Sequence, residues 1–110
     1  MYTLKDTNNE AVMFSFENDG SILNERGRVL GSVRDGVVCD KDGTPTRVTV
    51  EGNAIVWHGV NPGPVVRAYG VIIVDVGDGN TPVGIVEGAR SNAEIMIAAA
   101  AYWEFVLMYT

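Results

Sequence analysis

Glycine constrains this chain more than any other residue. Asp19-Gly20, Asp35-Gly36 and Glu51-Gly52 stand sixteen residues apart, and Tyr69-Gly70 and Glu87-Gly88 continue the series at eighteen. A second series, Gly27, Gly43 and Gly59, interleaves at the same interval and is followed by Gly79. An acidic residue followed by glycine signals a two-residue hairpin turn, because the turn needs positive φ and glycine reaches it without a Cβ clash. The stretches 24–27 (NERG) and 40–43 (DKDG) fit a longer hairpin loop. There Asn or Asp opens a type I turn and glycine takes the left-handed position. Between the turns lie short runs rich in Val and Ile, which favour strands. The spacing predicts strands over 2–5, 11–17, 21–24, 28–34, 37–40, 44–50, 53–57, 64–68, 71–75 and 82–87.

Five hairpins in a meander cannot each bury a core, but stacked or set radially they can. The expected fold is mainly β with one C-terminal α-helix: about five hairpin repeats in a curved sheet, barrel or flower-like ring. At 110 residues the chain reads as one domain, with hairpins over 1–88 and a helix over 92–108. Val12, Phe14, Phe16, Val48 and Val50 share one inward face by alternation. Val29 and Val33 stand in the opposite phase, so a bulge or a change of register is needed in the second unit. The third unit, "VWHGVNPGPVVR", lacks the Asp-x-x-Gly turn and carries Asn-Pro-Gly-Pro at 61–64, a longer and stiffer loop.

After residue 88 the repeat stops. Ser91 with Glu94 forms a capping-box signature, and four consecutive alanines follow. Only Glu94 and Glu104 are charged in this helix, so it is apolar nearly all round, and such a helix is buried on most sides or spans an interface. Met96, Ala99, Trp103 and Val106 fall on one stripe; Ile95, Ala98, Tyr102 and Phe105 fall on another. A sheet of short hairpins is expected to cover one stripe. The other then needs a partner, with a symmetric dimer the default. Ile95, Met96, Ala99, Tyr102, Trp103 and Val106 are the expected interface.

The rhythm of short strand, Asn/Asp-x-x-Gly, strand and Asp-Gly resembles the small bacterial β-flower proteins. "NERGRVLGSVRDG" at 24–36 carries it most closely, with "DKDGTPTRVTVEG" at 40–52 and "DVGDGNTPVGIVEG" at 75–88 following. The resemblance covers residues 20–88. It implies hairpins set around a pseudo-symmetry axis, and it implies no activity and no catalytic residue.

Composition narrows the partners. The net charge of −6, with no run of Lys or Arg, opposes nucleic-acid binding and attraction to anionic membranes. The longest apolar run, 95–103, is too short to cross a bilayer as a helix. A single cysteine and the absence of a signal-peptide pattern in "MYTLKDTNNEA" lead to an expectation of cytoplasm.

Candidate chemistry is sparse. His58 is the only histidine and has no partner visible in sequence. Cys39 sits in an apolar strand, where burial raises a thiol pKa and favours a packing role. The stretches 40–43 and 75–80 resemble calcium loops only superficially, lacking the further oxygen ligands and distal Glu. Zinc spacing and a phosphate-binding loop are both missing from the sequence, so no cofactor or metal is expected. Arg90, beside the helix start, reads as a solvated charge. Trp57, His58, Arg67 and Tyr69 could line one end of a ring beneath the 61–64 loop, as aromatic walls with a few polar groups. The sequence thus points first to a non-enzymatic interaction or assembly module, self-associating through the helix. The alternative is a small-molecule binding protein with a pocket near Trp57, His58 and Arg67.

Overall fold

Residues 1–52, 54–59 and 66–107 are described by a computed structural model, in which ten antiparallel strands form one nearly closed, barrel-like sheet. The strands are β1 (Tyr2–Asp6), β2 (Val12–Phe16), β3 (Ser21–Leu23), β4 (Val29–Arg34), β5 (Val37–Asp40), β6 (Pro45–Glu51), β7 (Ala54–Trp57), β8 (Val66–Tyr69), β9 (Ile72–Asp75) and β10 (Thr81–Glu87). Each lies within two residues of its predicted position. Their order across the sheet is β7-β6-β5-β4-β3-β2-β1-β10-β9-β8. The meander therefore runs through every consecutive pair except one. Between β10 and β1 the two ends of the hairpin series meet, with Leu4 opposite Val86. Between β7 and β8, which follow one another in sequence, there is no pairing among the described residues.

The sixteen-residue rhythm has a structural meaning. Two strands cross over an earlier turn: Val33 N–H donates to Gly20 O (2.9 Å) and Val50 N–H to Gly36 O (2.6 Å). A further copy joins Val86 N–H to Val71 O at 2.8 Å. Gly36 is needed twice over: its φ is +80°, and a Cβ there would lie 2.6 Å from the Val50 carbonyl oxygen.

Bulges or register shifts recur at the β1–β2, β3–β4, β5–β6 and β9–β10 pairings. Register shifts leave Met13, Leu30 and Val83 as the extra residue opposite β1, β3 and β9. All three side chains pack against the core. The phase conflict in the second unit is resolved in this way: the bulge turns Leu30 and Val33 inward and leaves Val29 exposed.

Helix α1 (Asn92–Phe105) starts where the capping signature placed it. Ser91 Oγ accepts from Glu94 N–H at 3.3 Å, and Glu94 Oε1 accepts from Arg90 N–H at 2.6 Å. The helix ends at Phe105; residues 108–110, assigned in part to it by sequence, lie outside the described residues.

The expectation that one stripe of this helix stays uncovered is not met. Six consecutive residues, Ala98–Trp103, are buried, and six residues of α-helix turn through more than a full circle. Of the expected interface, Met96, Ala99, Tyr102 and Trp103 are buried within this chain, and Ile95 and Val106 pack half-buried on the same core. The physical reason is the alanine run. A waist of methyl groups lets the sheet, above all β5–β8, approach closely, so the nearly closed ring wraps the helix.

No helix among the described residues is long and apolar enough to cross a membrane.

Candidate functional site

The interruption between β7 and β8 is the feature that most sets this ring apart from a closed one. A cavity of about 430 Å3 opens there, lined by Ala54 and Ile55 of β7, all four residues of β8 and Met96 of the helix. Alternation along β8 turns Val66 and Ala68 to the core and Arg67 and Tyr69 outward. A cavity touching successive residues of opposite orientation is seen edge-on, and its walls are the strand edges themselves. Among the described residues no strand pairs with these edges, and an unpaired strand edge presents main-chain N–H and C=O groups.

A recurring bond ties hairpins of the ring together. Gly20, Gly36 and Val71 each accept from the strand that crosses them; Gly52, at the corresponding turn, accepts no such bond among the described residues. A Cβ placed on Gly52 would meet nothing within 4 Å, whereas one on Gly36 would strike the crossing strand.

Of the four ligand residues expected from sequence, the structure brings two to this cavity. Arg67 and Tyr69 line it; Trp57 and His58 do not. Trp57 instead turns into the ring and stacks on Trp103, with ring centroids 6.3 Å apart and planes 8° apart. Gly59 packs against the edge of its indole, a contact that a Cβ would prevent. His58 points to the outer face of β6. Residues 61–64, expected above the pocket, lie outside the described residues.

His58 has partners after all. Its Nε2 lies 2.8 Å from Thr49 Oγ1 and 3.1 Å from Glu51 Oε2, and Thr49 Oγ1 donates to the same Glu51 oxygen at 2.7 Å. A hydroxyl, an imidazole and a carboxylate together invite comparison with a nucleophile relay, but the connections are wrong for one. In a relay the imidazole takes the hydroxyl proton on one nitrogen and is held by the carboxylate on the other. Here both contacts fall on Nε2, and the hydroxyl proton goes to the carboxylate. The hydrogen bonds from Thr49 and His58 hold Glu51 below its usual range, which makes it a weaker base near neutrality. The cluster is an exposed cross-strand hydrogen-bond set.

The other candidates resolve simply. Asp40 Oδ1 accepts from the N–H groups of Asp42 and Thr44, and Asp75 Oδ1 from that of Asp78, so the two calcium-like stretches are side-chain-capped turns. Among the described residues no group of His, Cys, Asp or Glu is arranged to hold a metal. Cys39 is buried.

Sequence reasoning missed Ala54, Ile55, Val66 and Ala68 as site residues and assigned Met96 to an interface. A signal was present. The third repeat is the one that loses its Asp-x-x-Gly turn and changes the interval from sixteen to eighteen, and the seam lies at that repeat.

Comparison of the chain with known protein families, with curated proteins and with solved structures finds no match.

Proposed function

We propose that this protein is a non-enzymatic interaction module whose ligand enters the seam between β7 and β8. One observation carries the reading: among the described residues β7 and β8 end the strand order without pairing to each other, and an apolar-floored cavity of about 430 Å3 stands between them. Its volume is that of an ordinary ligand site, and Arg67 and Tyr69 supply the polar groups that orient a guest. The test uses backbone amide spectra of the whole chain during titration with a fragment set and a peptide set. Ligands of the seam shift the amides of Ala54, Ile55 and Val66–Tyr69, and Ala68→Trp, which fills the cavity, abolishes the response. Binders that leave those amides still, or that tolerate the filled cavity, would overturn the proposal.

A second reading, self-association, is favoured by a different observation. Tyr69, Val71 and Ile72 are 54%, 48% and 39% exposed and adjoin one another on the β8–β9 hairpin. Self-association would run through this hairpin and not through the covered helix. Truncation before Asn92 would remove the core and so test folding, not assembly. Light scattering on a sizing column is the direct measurement. A mass that is a multiple of 11.8 kDa and falls to that value in Tyr69→Ser/Val71→Ser supports the reading. A wild-type monomer refutes it.

A further inference from the structure

The guest of the seam can be specified further, resting on the reading that the seam binds a ligand. We infer that it is an extended peptide segment, added as a strand, that alternates small aliphatic side chains with acidic ones.

The backbone argument comes first. Every residue of β8 lines the cavity, those turned inward and those turned outward alike. A compact small molecule would contact one face of a strand. A guest that meets both faces and the edge between them is itself an edge-on strand, hydrogen-bonded through its main chain as in other strand additions.

The side-chain argument fixes the chemistry. Residues of an added strand that turn inward would meet Ile55, Val66, Ala68 and Met96, all apolar. Met96 already closes the floor, so small or medium aliphatic groups fit best. Residues that turn outward would lie beside Arg67, the only charged side chain among the described residues lining the cavity, with Tyr69 next along the strand. Arg67 makes no ion pair within 4 Å among the described residues, although the chain as a whole is acidic. The same outer surface already uses this pairing between neighbouring strands, where Lys5 Nζ of β1 lies 2.9 Å from Glu87 Oε2 of β10. An acidic residue beside Arg67 would repeat that arrangement across the seam.

The experiment titrates the isotope-labelled full chain with three synthetic peptides. These are acetyl-Val-Glu-Val-Glu-Val-amide, its lysine counterpart, and the acidic peptide N-methylated at both Glu residues. The acidic peptide is expected to shift the amides of Ala54, Ile55 and Val66–Tyr69. The lysine peptide is expected to bind about threefold or more weaker, the range of an exposed charge pair. In Arg67→Glu the order of the two reverses. N-methylation, which keeps the side chains and removes two main-chain donors, abolishes the shifts.

A lysine peptide that binds as well as the acidic one would overturn the charge assignment while leaving a strand-binding seam intact. An N-methylated peptide that binds unchanged would overturn the strand assignment. If none of the peptides shifts the seam amides but compounds of the fragment set do, the inference fails and the binding reading stands. If neither class does, both fall. Self-association that disappears in Arg67→Glu would make a second copy the occupant and likewise overturn the peptide.

Discussion

Ala99→Leu tests the central claim of the architecture, that the ring surrounds its helix. Ala99 has no exposed surface and lies within the buried run. Leucine and alanine are both strong helix formers, so on a solvated helix or one that forms an interface after folding the substitution would leave monomer stability almost unchanged. At a fully buried position inside the ring the added isopropyl group must make its own room. It must displace strands or force off-rotamer side chains, at a cost of about 1–3 kcal/mol. Unfolding entropy runs at about 2.1 cal/mol/K per residue, or roughly 0.23 kcal/mol/K for this chain length. The melting temperature should therefore fall by about 4–13 °C, with a lower urea midpoint and an unchanged urea slope. Ala93→Leu is the control: this alanine is exposed in the first turn, so the change should stay within about 0.5 kcal/mol. If Ala99→Leu melts at or above the wild-type temperature while Ala93→Leu behaves as stated, the helix has room beside it and the enclosed arrangement is wrong.

Other expectations follow from particular contacts. Gly31→Ala should destabilise by about 1–3 kcal/mol in urea unfolding, because its Cβ would meet the Cys39 carbonyl and come within 2.7 Å of the Phe105 ring. Burial, and then the charge of Glu94, push the Tyr2 phenol well above its usual pKa; burial, and then Asp75, Asp6 and Asp78, push Tyr102 up as well. A phenol that ionises less readily when folded contributes stability that is intact below about pH 10 and is lost as pH rises above that unfolded-state value. Alkaline unfolding should thus begin near pH 10, and Tyr2→Phe should flatten it. Burial, and then Asp40, raise the pKa of the Glu104 carboxyl, so its ionisation works against folding. Glu104→Gln should raise the melting temperature at pH 7, and the advantage should vanish as pH falls below about 4, where both states of the wild type hold the proton. In His58→Ala the Glu51 carboxyl loses a hydrogen bond and a nearby charge, so its titration, followed by side-chain carboxyl NMR, should move up toward the ordinary value.

Turn chemistry made the strands legible, because glycine spacing fixes where a chain can reverse, and all ten strands fall where the turns allow. The helix start was legible from Ser91 and Glu94 because a cap is a local interaction. What surrounds the helix was not. Whether a stripe is covered depends on how far the sheet curls, and curl comes from bulges at Met13, Leu30 and Val83, of which alternation revealed only the conflict near Val29 and Val33. The same limit divided the expected ligand residues. Trp57 and Arg67 are neighbours in the repeat, but strand parity turns one into the core and the other to the seam. His58 looked isolated because Thr49 and Glu51 come from the facing strand, and cross-strand partners cannot be assigned until register is known. Gly59 looked like one more turn signal, yet it also makes room for the Trp57 indole.

The placement of α1 after all ten strands also affects how the molecule is made. A ribosome delivers the wall before the filling. Until Ala98–Trp103 emerge, the inner faces of the early hairpins lack the helix they pack against, and the pairing of Leu4 with Val86 has to wait for β10. Such long-range closure slows folding and prolongs the time during which unpaired edges stay open to neighbouring chains. The regularly spaced turns act before closure: each hairpin can form as it leaves the exit tunnel and wait, locally paired, for the segment that completes the interior.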